Sequence, residues 1–318
     1  MEKILVAVDG SNSSNLALEH AVILAQALNS SLLLLHVMEV KRVMLLHDDF
    51  TGSWIRFLNE TVGDLRKKGE EILESAKKGL DVEFKLRLEL GNPAKIISDV
   101  AKEENCSLIA MGSRGLNDLT GILLGSVSHR VLERSPVPVL LAKSSEGKPE
   151  QRERTGLKKI LVAVDGTSGS KSALLHAASL AGKLPLELIL LHVIPDIRYT
   201  PYYLETFAVE AADTILQEEL DRLNKKGMEV LQDAENTISR FGLPLRKRLE
   251  TGDPAKIINK AAAEEKADLI VMGTKGPSEW ISLVSSGISH RTLEKASVPI
   301  LFVKETHSAD IEQVKVMS

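Results

Sequence analysis

The chain has 318 residues, 43% of them hydrophobic and 26% charged, which is typical of a globular protein long enough for two domains. Its net charge of −4 argues against a nucleic-acid-binding protein that depends on a basic surface. No apolar run approaches the roughly 20 residues that span a bilayer, no secretory signal precedes the first strand, and the single cysteine, Cys106, cannot form an internal disulfide. We therefore expect a cytoplasmic protein with neither nucleic acid nor membrane as a partner.

The first half of the chain alternates short apolar runs with longer amphipathic segments, which predicts alternating strands and helices. Strands are expected at Lys3–Val8, Leu32–Met38, Glu83–Leu90, Leu108–Met111 and Val137–Ala142. Helices are expected from the serines at 11–14 to Leu28, over Asp64–Lys78, over Ala94–Glu104 and over Val127–Arg134. Residues 39–59 mix apolar and polar residues without a clear helix or strand periodicity. Strands separated by helices pair in parallel through right-handed crossovers, so the pattern predicts an α/β doubly wound sheet with helices on both faces.

The second half of the chain repeats the first. The segment Lys3–Gly10 returns unchanged as Lys159–Gly166, and the Ser-His-Arg motif at 128–130 returns at 289–291. Because other motifs recur in the same order, the sequence predicts two tandem copies of one domain. The predicted domains are residues 1–145 and 158–306, with a polar linker at 146–157 and a C-terminal tail at 307–318.

The stretch after the fourth predicted strand carries the clearest functional signal. It reads Gly112-Ser113-Arg114-Gly115, then nine residues, then Gly125-Ser126-Val127-Ser128 at a predicted helix start. Glycines let a backbone approach a ligand closely, and a helix N-terminus offers unpaired N–H groups and a partial positive charge to an anion. The stretch therefore predicts a phosphate-binding cradle.

On these residues the chain resembles a tandem universal stress protein. The family pattern of Gly, two residues, Gly, nine residues and Gly-Ser is complete in the first copy. Asp9 after the first strand and His36-Val37 at the end of the second match as well. The resemblance implies a five-stranded parallel sheet of order 3-2-1-4-5 in each copy. It also implies a ligand at the switch point between strands 1 and 4, and a role in the stress response.

The resemblance implies that the first copy binds ATP, ADP or AMP, with Mg²⁺ only as a companion of ATP. The ends of the first two strands would hold adenine and ribose, and the glycine loop and Gly-Ser segment would hold the phosphates. The binding residues carried over by position are Ala7, Asp9, Val37, Met111, Gly112, Arg114, Gly115, Gly125, Ser126, Val127 and Ser128.

The second copy departs from the family pattern, because Ser286-Gly287 stands where Gly-Ser is expected. A Cβ then occupies a position that the family keeps bare, and a hydroxyl is lost. We expect a weaker site there, or one for a ligand with fewer phosphates. Its residues would be Ala163, Asp165, Val193, Met272, Gly273, Lys275, Gly276, Ser286, Gly287 and Ser289.

Three functions remain open at this point. The first is a nucleotide-binding regulatory protein without rapid turnover. The second is a slow ATP hydrolase or phosphotransferase, against which stand the missing Gly-Lys-Ser/Thr P-loop and the lack of a clear acidic magnesium site. The third is a nucleotide-independent interaction scaffold. We assign no catalytic residue and no metal ligand.

Several of these residues also have a purely structural interpretation. Asp9 and Asp165 could be turn or cap residues, and His36 and His192 are interpreted as residues that pack at strand ends. Cys106 is interpreted as a small buried hydrophobe.

The resemblance finally implies a mode of assembly. Val137–Ala142 would pair with Val298–Val303 within one chain, and two chains would associate further into a homodimer.

Overall fold

The computed structural model describes residues 2–39, 52–114, 124–144, 156–196, 212–274 and 287–305, with the side chains of 52–59 and 212–215 left out. The chain divides into two compact units, Met1–Glu153 and Arg154–Ser318. The division falls within the segment predicted to be the linker, while the predicted domain boundaries stay a prediction. Among the described residues, none of the helices is both long enough and apolar enough to cross a membrane.

The first unit alternates strand and helix throughout its described residues. Its elements are β1 (Lys3–Ala7), α1 (Asn12–Leu28), β2 (Ser31–Met38), α2 (Gly52–Ala76), β3 (Phe84–Leu90), α3 (Pro93–Glu103), β4 (Leu108–Gly112), α4 (Ser126–Arg134) and β5 (Val139–Ala142). The strands pair in parallel in the order β3-β2-β1-β4-β5. This confirms the predicted fold and strand order.

The second unit has the same architecture. Its elements are β6 (Lys159–Ala163), α5 (Ser168–Lys183), β7 (Glu187–Ile194), α6 (Ala212–Ile238), β8 (Leu245–Thr251), α7 (Pro254–Glu264), β9 (Leu269–Thr274), α8 (Ile288–Lys295) and β10 (Ile300–Lys304). Its parallel strands follow the order β8-β7-β6-β9-β10, so the internal repeat is a repeat of structure as well as of sequence.

The central strands form the core of each unit. Leu5, Val6 and Ile109 are fully buried, as are Leu161 and Ile270 in the second unit. Parallel strands covered by helices on both faces need apolar side chains on both sides, which explains the unbroken apolar runs of β1 and β4.

Helix α2 differs from its prediction. It begins at Gly52, well before the predicted start at Asp64, and so takes in part of the stretch without a readable period. Charged residues flank its sparse apolar stripe. A surface helix needs only such a stripe to pack on a sheet, so its sequence signal is weak.

The helix N-termini differ in how they are capped. The Ser11 hydroxyl accepts a hydrogen bond from the Ser14 N–H at 3.2 Å and caps α1. The Asn92 side chain accepts one from the Lys95 N–H at 3.0 Å and caps α3. By contrast α4 follows Gly125, which has no side chain to offer. The first N–H groups of α4 therefore lack a side-chain cap at that position.

Candidate functional site

The carboxyl ends of β1 and β4 lie side by side in the first unit. Ala7 is directly opposite Met111 in the ladder. The turns that follow the two strands also meet, because the Ser11 hydroxyl donates to the Arg114 carbonyl over 3.4 Å. In an open parallel sheet this switch point, where successive crossovers run in opposite directions, is where ligands bind.

Asp9 shapes the turn after β1. Its Oδ1 accepts a hydrogen bond from the Ser11 N–H at 2.9 Å, and its own N–H donates to the Ser14 hydroxyl at 3.4 Å. This is the turn role that the sequence left open as an alternative to ribose binding. The side chain is half-buried at the mouth of the crevice, so its role as a ribose ligand stays a prediction.

Gly112 has a packing role that the sequence interpretation did not foresee. A Cβ added there would lie 2.8 Å from Ser13 Cβ and 2.9 Å from Ser14 N. The residue must therefore be glycine so that the first turn of α1 can rest on β4. Close approach of the protein backbone to a ligand, the reason we gave from sequence, is not needed to explain this glycine.

Ser113 joins the glycine turn to the start of α4. Its carbonyl accepts hydrogen bonds from the Gly125 N–H and the Ser128 hydroxyl, both at 2.8 Å. Its N–H donates to the Ala142 carbonyl at 2.8 Å. The sequence analysis missed this residue, and no local pattern marks a carbonyl that is used across the fold.

Ser128 holds this junction together and is 2% exposed. Its hydroxyl lies 2.8 Å from the Ser113 carbonyl and 2.9 Å from the Gly125 carbonyl, and carbonyls can only accept. Its one proton is thus used within the protein, and the predicted place of Ser128 in the nucleotide site stays a prediction. The exposed Ser126 and the half-buried Val127 are the residues of this segment that face outward.

The start of α4 is suited to an anion. Gly125 is extended, with φ −65° and ψ 152°, and within the part of the chain that the structure describes no side chain caps the helix at this position. The N–H groups of the first turn therefore point out of the helix end with the positive pole of its dipole behind them. Because Ser113 binds Gly125, this helix end is held at the carboxyl end of β4.

The remaining predicted residues of the first unit fall into two groups. Ala7 and Val37 are half-buried at the ends of β1 and β2, Met111 is 5% exposed below the crevice, and Arg114 is half-buried beyond it. Gly115 lies outside the described residues.

His36 braces β1 against β2. Its Nδ1 lies 2.7 Å from the Val8 carbonyl, so that nitrogen carries the proton and donates it. His192 makes the same contact with the Val164 carbonyl at 2.7 Å. Both histidines thus have the packing role predicted for them.

Beside Val8 and Asp9, a cleft of about 360 Å³ opens between α1 and α2, lined also by Asn15 and Lys68.

The second unit places its helix start differently. The residue before α8 is Gly287, with φ −67° and ψ 148°, although Gly287 aligns with Ser126 and not with Gly125. The helix therefore begins one motif position later, and a glycine still precedes it. Ser289, the counterpart of Ser128, is half-buried. Lys275, Gly276 and Ser286 lie outside the described residues.

The turn after β6 also differs from its counterpart. Asp165 is exposed, and its Oδ1 accepts hydrogen bonds from both the N–H and the hydroxyl of Thr167, at 2.9 and 2.6 Å. A Cβ on Gly273 would lie 2.2 Å from the carbonyl of Gly169, so α5 rests even closer on its strand than α1 does. Ala163 and Val193 are half-buried, and Met272 is 5% exposed, as in the first unit.

An ion pair ties the second helix start to its neighbour. Arg291 in α8 lies 2.5 Å from the carboxylate of Asp253, which caps α7. Burial raises the pKa of the Asp253 carboxyl, but the Arg291 guanidinium and the Lys256 N–H outweigh it and leave the pKa below its usual value. Asn92 occupies the same position in the first unit, so this pair is specific to the second.

No group of three or more histidine, cysteine, aspartate or glutamate side chains able to hold a metal ion occurs within the described ranges.

Comparison with known proteins identifies related chains. The model of the universal stress protein family matches residues 1–143 and again 156–304. Universal stress protein YxiE of Bacillus subtilis is 39% identical over 149 residues, which is 44% of this chain and 98% of that protein. A universal stress protein of Mycolicibacterium smegmatis is 23% identical over 306 residues, 95% of this chain and 96% of that one.

The solved structures include one that aligns along nearly the whole chain. A universal stress protein from Archaeoglobus fulgidus aligns with a TM-score of 0.64 and 24% identity, over 95% of this chain and 96% of that chain. At this identity the likeness establishes the fold only.

Proposed function

Because the chain belongs to the universal stress protein family, with one family domain in each half, we propose that it is a stress-response regulatory protein that binds an adenine nucleotide. The ligand, ATP, ADP or AMP, occupies the switch point of the first domain. The observation that carries the proposal is the start of α4 beside the carboxyl end of β4, where the N-cap residue is a glycine and so offers no capping side chain.

The first domain offers complementary groups along the crevice. The first-turn N–H groups of α4 and the exposed Ser126 hydroxyl suit phosphate oxygens, which are strong acceptors. Asp9, on the neighbouring strand end, offers a carboxylate to ribose hydroxyls. The hydrogen bond from Ser11 to the Arg114 carbonyl links these two halves of the crevice, which supports one ligand reaching both.

In the second domain we propose a weaker site. Its helix begins one motif position later, and Thr167 adds a second hydrogen bond to Asp165. Both differences change the positions where the first domain offers its phosphate and ribose groups. The second domain then contributes more to the fold than to nucleotide affinity.

Nucleotide content and affinity test the proposal directly. Small molecules released on denaturing the purified chain would be identified by mass spectrometry and counted per chain, and ATP, ADP and AMP would be titrated onto the emptied protein. We expect about one adenine nucleotide per chain. We also expect the protein to retain bound ATP and to release phosphate from it only slowly. A chain that carries none and binds none of the three would contradict the proposal.

Matched variants locate the site. Ser126→Glu sets a negative charge at the start of α4 and is expected to abolish nucleotide binding through repulsion of phosphate. Asp9→Asn is expected to weaken binding, while Asp165→Asn, the matched change in the second domain, leaves the tighter site unchanged. Equal losses from Asp9→Asn and Asp165→Asn would overturn the assignment to the first domain.

A further inference from the structure

The two domains carry different residues on their edge strands. Among the described residues β3 pairs only with β2, and β8 pairs only with β7. On β3, Leu86 and Leu90 are 38% and 46% exposed. At the matching positions of β8 stand Lys247 and Thr251. At these two positions one edge is thus apolar and the other polar, on copies of the same fold.

The polar edge is protected against association. Lys247 Nζ lies 2.5 Å from the Glu235 carboxylate and 3.0 Å from the Gln232 side-chain oxygen. A charged lysine on an edge strand is a usual device against edge-to-edge pairing, because another strand would have to strip water from it. At the equivalent position on β3, Leu86 supplies no such charge.

The backbone of β3 is open along the same residues. The Leu32 N–H donates to the Glu83 carbonyl at 2.9 Å, and the Gly91 N–H donates to the Met38 carbonyl at 2.9 Å. In a parallel ladder, alternate residues turn both backbone groups toward one neighbour. The odd-numbered residues therefore bond β2, and Leu86, Leu88 and Leu90 direct their N–H and C=O groups away from the sheet.

The side chains of β3 divide between the two faces. Leu88 lies under α2, since its Cδ1 would be 2.6 Å from a Cβ added to Gly69. Leu86 and Leu90 share that face because side chains alternate along a strand. On the opposite face Arg87 holds Glu89 at 2.7 Å and Glu103 at 3.0 Å.

We propose that β3 is a self-association edge, at which the strands of two chains pair in antiparallel fashion around a two-fold axis through Leu88. In this register Leu86 lies opposite the partner's Leu90, and Arg87 lies opposite the partner's Glu89. Each exposed leucine covers another, and each opposite-sign pair extends a network already present in one chain. The proposal stands independently of nucleotide binding.

The charge pattern selects both the partner and the register. Lys85, Arg87 and Glu89 alternate with the leucines, so a two-fold pairing must bring these charges together across the axis. An axis through Arg87 sets that residue against its own copy, and an axis through Leu86 sets Lys85 against Arg87. Like charges placed directly opposite each other destabilise a ladder. Of these three registers, only the one centred on Leu88 opposes charges of unlike sign throughout.

The first test replaces the two exposed leucines of β3 with the residues found at the same positions of β8. Leu86→Lys together with Leu90→Thr gives β3 the residues that β8 carries at those positions, so the fold should tolerate them. By sedimentation velocity on the full chain we expect the unaltered protein to be a dimer and this variant a monomer. Met228→Lys, at a residue 51% exposed on α6, is the matched control and should remain dimeric. A monomeric unaltered protein, or a variant that stays dimeric, would overturn the proposal.

The second test reads the register. Directly opposite residues that share hydrogen bonds have Cα atoms about 5.5 Å apart, within the range of a disulfide. Leu86→Cys together with Leu90→Cys should therefore link two chains under oxidation, whereas either change alone should not. Four residues along one strand span about 13 Å, so no bridge forms within a chain. Failure of the double variant to link, or equal linking of a single variant, overturns this register.

Cys106 does not interfere with this experiment. It is 4% exposed, and burial raises the pKa of its thiol to about 11. A buried thiol that stays protonated reacts slowly, so it can be left in place.

Discussion

A Cβ placed on Gly112 would lie 2.8 Å from the Cβ of Ser13, so the first turn of α1 and the end of β4 touch without room for a side chain. Ser11 in the turn before that helix and Arg114 in the turn after that strand are joined by a hydrogen bond. The crevice is therefore shaped by helix–strand packing before any ligand enters it.

We expect Gly112→Ala to destabilise the first domain by about 2–3 kcal/mol, because Ser13 C and Ser14 N, both 2.9 Å away, are backbone atoms that cannot rotate aside. Gly273→Ala should cost more, since its Cβ would lie 2.2 Å from Gly169 C. Calorimetric unfolding of the full chain measures both. Adding Ser13→Gly to Gly112→Ala should recover only part of the loss; complete recovery would mean that the backbone contact is unimportant.

Ser126 and Ser128 should separate binding from stability. Ser128→Ala removes a buried hydrogen bond to the Ser113 carbonyl and should cost about 1 kcal/mol of unfolding free energy. Ser126→Ala, at an exposed position, should change stability by less than about 0.5 kcal/mol yet weaken nucleotide binding roughly tenfold. Denaturant unfolding and nucleotide titration of both variants test this. An unchanged affinity in Ser126→Ala would show that its hydroxyl does not contact the ligand.

Two glycines of α2 should respond oppositely to alanine. Gly63 has open space around it, so Gly63→Ala should stabilise the helix by about 0.5–1 kcal/mol. At Gly69 the new Cβ would meet Leu88 Cδ1 at 2.6 Å and His36 Cδ2 at 2.9 Å. The leucine methyl can turn away, but the His36 ring is held by the Val8 carbonyl, so Gly69→Ala should cost about 1–2 kcal/mol. Thermal unfolding compares the two, and a stabilising Gly69→Ala would contradict the packing described for α2.

The pair between Arg291 and Asp253 should make the stability of the second domain depend on acidity. The folded-state pKa of Asp253 is lowered, so its contribution is present above the unfolded value of about 3.9 and is lost as pH falls through the folded value. Both side chains are about one-third exposed, which limits the effect of Arg291→Gln to under about 1 kcal/mol at pH 7. In urea unfolding curves the difference should shrink as pH falls below the unfolded value and vanish once the folded carboxyl is protonated.

Arg130→Gln is the control for that measurement. Arg130 matches Arg291 in the first domain, where Asn92 replaces the aspartate. It should show no such dependence on pH. A similar loss in both variants would mean that the arginine side chain acts through packing and not through charge.

Much of the fold could be predicted from sequence because its causes are local. The unbroken apolar run of β1 and the repeat of Lys3–Gly10 at 159–166 are visible without any contact in space. They predicted parallel strands, helices on both faces and two domains. The order of the strands came from the resemblance to a family. The start of α2 was wrong, because a helix that buries one thin stripe on a sheet leaves a weak pattern.

The sequence by itself determined the secondary structure apart from the start of α2, the duplication and the position of the glycine motif at the end of a strand. Only the tertiary structure decided what the motif residues do. Gly112 leaves room for the first turn of α1, the Ser128 hydroxyl donates to the Ser113 carbonyl, and Gly287 is the residue that precedes α8. The difference between the edges at Leu86 and Lys247 likewise acquires meaning once β3 and β8 are known to be edges. The physical reason is how far apart in the chain the interacting residues lie. Helix and strand periods arise from neighbours in the chain, whereas packing and hydrogen-bond partners join residues far apart in it, and only folding brings them together.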